Sequence, residues 1–147
     1  MSSAAAPGAN HEHVYPVRVY YEDTDAGGVV YYANYLRFAE RARTELLRDL
    51  GIDHTTLLAD NGLMFAVRRC EADYVKPARL DDLLEVVTRF VEASGASFWV
   101  AQTVRRADET LAEMKLRLVC LKSDGRPARI PERLRVAMTA QTSAARH

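Results

Sequence analysis

The chain has 147 residues, enough for one domain with a single core of its own. Twenty Lys and Arg offset twenty Asp and Glu, so the formal net charge is zero and the total lacks the basic surplus that a nucleic-acid partner would call for. With 48% hydrophobic and 27% charged residues, the composition is that of a soluble globular protein.

Residues 1–13 are small and polar, without periodicity, and read as a disordered tail. They hold no basic and apolar leader, and no apolar run anywhere approaches the roughly 18 residues that a membrane span needs, so the expected compartment is the cytoplasm. His11 and His13 flank Glu12 as metal ligands could, but no further ligand stands near, and the solvated tail is the preferred reading. Pro16 to Glu22 alternates, with Val17, Val19 and Tyr21 against Arg18 and Tyr20, which predicts a strand.

An acidic loop with two glycines follows, and then a helix from about Asn34 to Leu50 with Gly51 suited to its left-handed C-terminal position. Tyr35, Phe38, Ala39, Ala42, Leu46 and Leu50 share one face, and Leu36 and Leu47 widen it to roughly half the circumference, so the helix should be largely enclosed. Arg43 falls inside that apolar arc, where it either snorkels or pairs with a buried acid. The junction itself is chemically useful. It delivers carboxylates beside a helix N-terminus, whose unpaired N–H groups and dipole favour developing negative charge.

A second short helix is predicted from Asp53, its N-cap, to Asp60, ending at Asn61-Gly62. The period then changes to two. Leu63 to Val75 reads as a strand with Met64, Ala66, Cys70, Ala72 and Tyr74 on one face, and Leu83 to Glu92, Ser97 to Arg106 and Thr110 to Lys122 read as three more. Pro131 starts a last helical turn, and residues 140–147 read as a frayed tail. Cys70 and Cys120, far apart in different apolar stretches, read as buried thiols, with neither a disulfide nor a metal role. One enclosed helix before a run of one-faced strands predicts an α+β fold with the sheet curled around the helix; the strand order is not legible.

The run Tyr21-Glu22-Asp23-Thr24-Asp25-Ala26-Gly27-Gly28-Val29-Val30-Tyr31, followed by Asn34-Tyr35 and by Glu40-Arg41-Ala42-Arg43-Thr44-Glu45, resembles the signature of the hotdog-fold acyl-CoA thioesterases. It resembles the 4-hydroxybenzoyl-CoA thioesterase family, and within it the YbgC-like, Tol-Pal-associated branch. Tyr74-Val75-Lys76-Pro77-Ala78-Arg79-Leu80-Asp81-Asp82 also resembles that branch, and the likeness runs in order from about Tyr15 to Pro131. It implies a single hotdog domain over residues 14–139, an antiparallel sheet wrapped around one long helix, and homodimers joined edge to edge or homotetramers. The active site would lie at the dimer interface. In such a family Asp25 occupies the position of the catalytic carboxylate, and the Tyr32 backbone N–H that of the thioester-polarising donor. Relatives of the YbgC type commonly carry His at the Tyr32 position, whereas the hydroxybenzoyl-CoA enzymes carry Tyr. The change removes an acid–base partner and leaves the backbone donor untouched.

These residues suit thioester hydrolysis, which needs a nucleophile or a base for water and a site for the oxyanion. A thiolate leaves readily, so one carboxylate suffices without a Ser-His-Asp set, and no GxSxG occurs. By its spacing alone Asp25 is a loop residue that caps its turn; the resemblance raises it to catalysis. Asp23 is read as a turn-stabilising residue. Gly27, Gly28, Val29, Val30 and Tyr31 are assigned to the substrate, the glycines through close backbone approach. Tyr31, Tyr32 and Tyr35 are read mainly as packing aromatics. The expected activity is hydrolysis of a short-chain or aromatic acyl-CoA, with no cofactor and no metal. The alternative is a non-catalytic hotdog protein that binds acyl-CoA or an acyl carrier and works with a cell-envelope or lipid-synthesis partner. A divalent-metal reading of Glu22, Asp23 and Asp25 fails because no nucleotide-binding βα pattern precedes them.

Overall fold

A computed structural model describes residues 12–52 and 54–145. Five strands, β1 (His13–Arg18), β2 (Leu63–Tyr74), β3 (Leu83–Ser94), β4 (Ser97–Arg106) and β5 (Glu109–Lys122), form one antiparallel sheet in the order β1-β3-β4-β5-β2. Three helices accompany them: α1 (Ala33–Asp49), α2 (His54–Asn61) and α3 (Glu132–Ala145). This is the expected α+β architecture. Only β3, β4 and β5 form a meander, because β1 and β2 stand at opposite edges although no other strand comes between them in sequence. The chain between those edges must cross the sheet, and α1 does so over its inner face.

Alternation in β3, β4 and β5 builds that face. Leu84, Val86, Phe90, Phe98, Val100, Val104, Met114, Leu116 and Leu118 are buried against Phe38, Ala39, Ala42 and Leu46 of α1, while Arg89, Glu113 and Lys115 stay outside. Leu36 is 38% exposed, so the buried arc of α1 is narrower than its sequence suggested; one side of the helix faces solvent. Gly51, at φ +83°, closes α1. Its N–H donates to the Arg48 carbonyl at 2.9 Å and the Ile52 N–H to the Leu47 carbonyl at 2.8 Å, a Schellman arrangement that satisfies the last carbonyls.

Several expectations need correction. The first strand begins at His13 and ends at Arg18, because Asp23 Oδ2 accepts the Tyr20 N–H at 2.8 Å and winds Tyr21–Asp23 into a 3₁₀ turn that leaves Tyr21 82% exposed. His13 is therefore not part of a solvated tail: its Nε2 meets Asp49 Oδ2 at 2.8 Å. His11 and the proposed cap Asp53 lie outside the described residues. In β2 a bulge shifts the pairing between Val67 and Arg69. Phe65 and Val67, opposite Cys120 and Leu118, thus share the inner face with Cys70, Ala72 and Tyr74, whereas Met64 and Ala66 turn outward. Cys70 is exposed rather than buried, since β2 is an edge strand and α1 lies over β1, β3 and β4; Cys120 is buried.

Arg43 neither snorkels nor meets an acid. Its Nη1 donates to Gln102 Oε1 at 2.9 Å, and the buried Gln102 in turn donates through Nε2 to the Ala39 carbonyl and to Thr88 Oγ1, both at 2.9 Å. The amide is thereby satisfied inside an apolar core. The last helix is longer than one turn and continues beyond Thr139 to Ala145. Ile130, Leu134 and Met138 are buried in the core at a four-residue spacing, and Arg133 donates to the Gly51 carbonyl at 3.1 Å.

Candidate active site

Between the 3₁₀ turn and α1 the chain doubles back on itself. Thr24 bridges Val30, the Asp25 N–H donates to the Val29 carbonyl at 2.9 Å, and the Gly28 N–H donates to the Asp25 carbonyl at 3.0 Å. Asp25 Oδ1 accepts the Gly27 N–H at 2.8 Å, so the carboxylate also caps its own turn, as its spacing foretold. Its Oδ2 accepts no hydrogen bond among the described residues, and the residue is exposed. Both glycines have a physical reason. Gly28 sits at φ +80°, and a Cβ on Gly27 would stand 3.3 Å from Asp25 Oδ1.

Asp23 has the structural role expected of it. Besides holding the Tyr20 N–H, it accepts the Tyr31 N–H on its carbonyl at 3.0 Å and the Asn34 side-chain amide at 2.9 Å. Asn34, buried at 8%, thus ties the first turn of α1 to the acidic loop, a role that helix periodicity cannot reveal. Tyr32 is the N-cap, at φ −56° and ψ −31°. The Asn34 N–H donates to the Tyr31 carbonyl at 2.8 Å, while the Tyr32 N–H has no acceptor among the described residues. A first-turn amide without an internal partner is free to donate elsewhere. No acidic residue occupies the first turn of α1 to compete for it.

The loop leans on the segment between β2 and β3. Val30 donates to the Ala78 carbonyl at 2.8 Å, Val29 bridges Arg79, and the Ala78 N–H donates to the Tyr35 hydroxyl at 2.9 Å. Burial pushes the Tyr35 phenol up from its ordinary range. Val30 is 5% exposed and belongs to the core, so its side chain anchors the loop from behind; Gly27, Gly28 and Tyr31 remain at the surface. Of the three tyrosines read as packing residues only Tyr35 is buried, with Tyr31 48% and Tyr32 58% exposed. Tyr74, which the sequence reading left out of the site, completes their cluster: its ring lies 5.9 Å from that of Tyr32 and 5.5 Å from that of Tyr35. Its period-two place on the inner face of β2 was the available signal.

An ionic clamp holds the segment behind this loop. Arg106 donates to Asp82 Oδ2 at 2.6 Å and to Glu109 Oε1 at 2.8 Å, Lys76 reaches Glu109 Oε2 at 2.9 Å, and Asp82 Oδ2 accepts the Arg79 N–H at 2.8 Å. The Arg106 hydrogen bond, and then that of Lys76, hold the Glu109 carboxyl down to about 2 from its usual 4.5. A carboxyl that is more acidic folded than unfolded stabilises the fold above the unfolded value and loses that contribution as pH falls toward the folded one. The gap in melting temperature between wild type and Glu109→Gln should therefore be widest above pH 4.5 and close toward pH 2, as thermal unfolding across that range would measure. A gap independent of pH would mean that the charge does not matter.

Among the described residues no three His, Cys, Asp or Glu side chains come together as a metal site, and no helix is long and apolar enough to cross a membrane. The model of the thioesterase-like superfamily matches residues 19–138, which span the loop, α1, α2, strands β2 to β5 and the first half of α3. The chain is 44% identical over 124 residues to an acyl-CoA thioesterase YbgC of Haemophilus influenzae, covering 84% of this chain and 91% of that protein. It is 47% identical over 108 residues to an acyl-CoA thioester hydrolase YbgC of Escherichia coli O6:H1, covering 73% and 80%. In structure it is similar to a probable thioesterase from Bartonella henselae, with a TM-score of 0.78, 38% identity, and coverage of 82% and 99%. A self-folded Asp-Ala-Gly-Gly loop at the tip of a helix wrapped by an antiparallel sheet thus comes with sequence likeness across both, and the chain belongs to the hotdog-fold thioesterase-like superfamily.

Proposed function

We propose that this chain hydrolyses the thioester of a short-chain or aromatic acyl-CoA to the free acid and CoA, with Asp25 as nucleophile or general base and the Tyr32 backbone amide as oxyanion donor. Its place among acyl-CoA thioester hydrolases rests on YbgC relatives at 44% and 47% identity. The observation that carries the residue roles is the pairing of two unspent groups. Asp25 Oδ2 and the Tyr32 N–H lie on either side of Gly27–Tyr31, and neither has a partner among the described residues.

Either Asp25 takes the proton of a water that attacks the thioester carbonyl, or its carboxylate attacks directly and water then hydrolyses the resulting mixed anhydride. In both routes the oxyanion forms against the helix tip and the thiolate departs without a dedicated acid. Gly27 and Gly28 let the acyl thioester approach the backbone, and the exposed rings of Tyr31 and Tyr32 present an apolar surface beside it. The loop lies open in a single copy, which fits a cleft completed by a second copy in a homodimer or homotetramer acting in the cytoplasm. A screen of acyl-CoAs of graded chain length with aromatic examples, read by release of free thiol, is expected to single out a responsive class. Binding without turnover across the whole panel would favour a non-catalytic acyl-binding protein instead.

A further inference from the structure

Asn34 stands where a helix gains little from it. It is the second residue of α1, and its short amide side chain competes with the backbone rather than supporting the helix. At 8% exposure it is buried, so its polar group needs a partner inside the protein. The partner is the Asp23 carbonyl, eleven residues back, to which Nδ2 donates at 2.9 Å. The same carbonyl accepts the Tyr31 N–H at 3.0 Å.

Asp23 lies two residues before Asp25, and Asn34 two residues after Tyr32, so the bond joins the near neighbours of the carboxylate and of the helix-tip amide. A single hydrogen bond acts as a pivot. Two donors on the two lone pairs of one carbonyl fix a direction as well as a distance. With the Tyr31 N–H alone, the helix tip is free to turn about that bond while Asp25 stays in its own turn, held by the Gly27 N–H at 2.8 Å. Val30 and Tyr35 fasten the returning arm and the helix to Ala78, between β2 and β3, whereas Asn34 fastens the helix to the acidic arm itself.

We infer that Asn34 is a positioning residue for catalysis, one that sets the Tyr32 amide against Asp25 at the separation the reacting carbonyl requires. The inference rests on the hydrolytic roles proposed for those two groups. Thiol release from butyryl-CoA and benzoyl-CoA tests it. Misplacing reacting groups by about 1 Å costs about a hundredfold, so Asn34→Ala should lower kcat about ten- to a hundredfold with KM within about twofold of wild type. Asn34→Ser, whose hydroxyl is too short to reach the Asp23 carbonyl, should do the same and serves if the alanine variant fails to fold. Ile130→Val trims a buried side chain whose backbone is bonded to the β3–β4 hairpin; it should lower the melting temperature and leave kcat alone, which separates position from stability.

The double variant Asn34→Ala with Asp25→Asn gives the sharper readout. Once the carboxylate is gone its separation from the amide no longer matters, so the double variant should be within about threefold of Asp25→Asn alone. Losses that multiply, or a folded Asn34→Ala enzyme at the wild-type rate beside a slow Asp25→Asn, would overturn the inference and leave the hydrolytic reading standing. A wild-type rate in Asp25→Asn, or no turnover of either thioester by the wild-type protein, would remove both.

Discussion

Replacing Asp25 with asparagine should lower kcat for acyl-CoA hydrolysis by about 10²–10⁴, the usual contribution of a positioned acid–base group, with KM little changed. The substitution is selective because an asparagine side-chain oxygen can still accept the Gly27 N–H that now reaches Asp25 Oδ1 at 2.8 Å, so the turn persists. Only the anion is removed. Steady-state rates on the most responsive acyl-CoA, with circular dichroism to establish that the variant is folded, measure the effect. A folded Asp25→Asn enzyme working at the wild-type rate would remove Asp25 from the mechanism.

Tyr32→Pro is expected to cost about 10²–10³ in kcat, the usual loss for one oxyanion donor, whereas Tyr32→Ala should cost far less. Proline deletes the backbone N–H and alanine deletes only the ring, so the pair separates the two roles. The backbone tolerates the change: φ at Tyr32 is −56°, within the range proline imposes, and the N–H it loses has no acceptor among the described residues. Tyr32 also follows the residue whose carbonyl accepts the Asn34 N–H, the turn position that proline favours. Similar rates in the two variants would point to the ring, or to neither group, as the contributor.

The clamp of Arg106, Asp82, Glu109 and Lys76 brings together residues from the β2–β3 connection and the β4–β5 hairpin, more than twenty positions apart in sequence. Single-residue patterns carry no trace of such a meeting. The Arg43–Gln102–Thr88 chain is similar. Arg43 was visible as a misfit on an apolar face, but which partner would resolve the misfit depended on β4 running beneath that turn of the helix.

Local rules sufficed where neighbours in sequence are neighbours in space. The core face of α1, its closure at Gly51, the span of β4 and the turn-forming acidic loop all follow from 3.6- and 2-residue periods, glycine at positive φ and short side chains that bond their own backbone. Only the tertiary structure decided that β2 lies at the far edge beside β5, that a bulge turns Met64 and Ala66 outward, and that Cys70 and the tyrosines at the helix tip are exposed. The reason is that alternation tells which side chains share a face of a strand, while the cover over that face is set by which strands and helix pack there, and those contacts join residues distant in sequence.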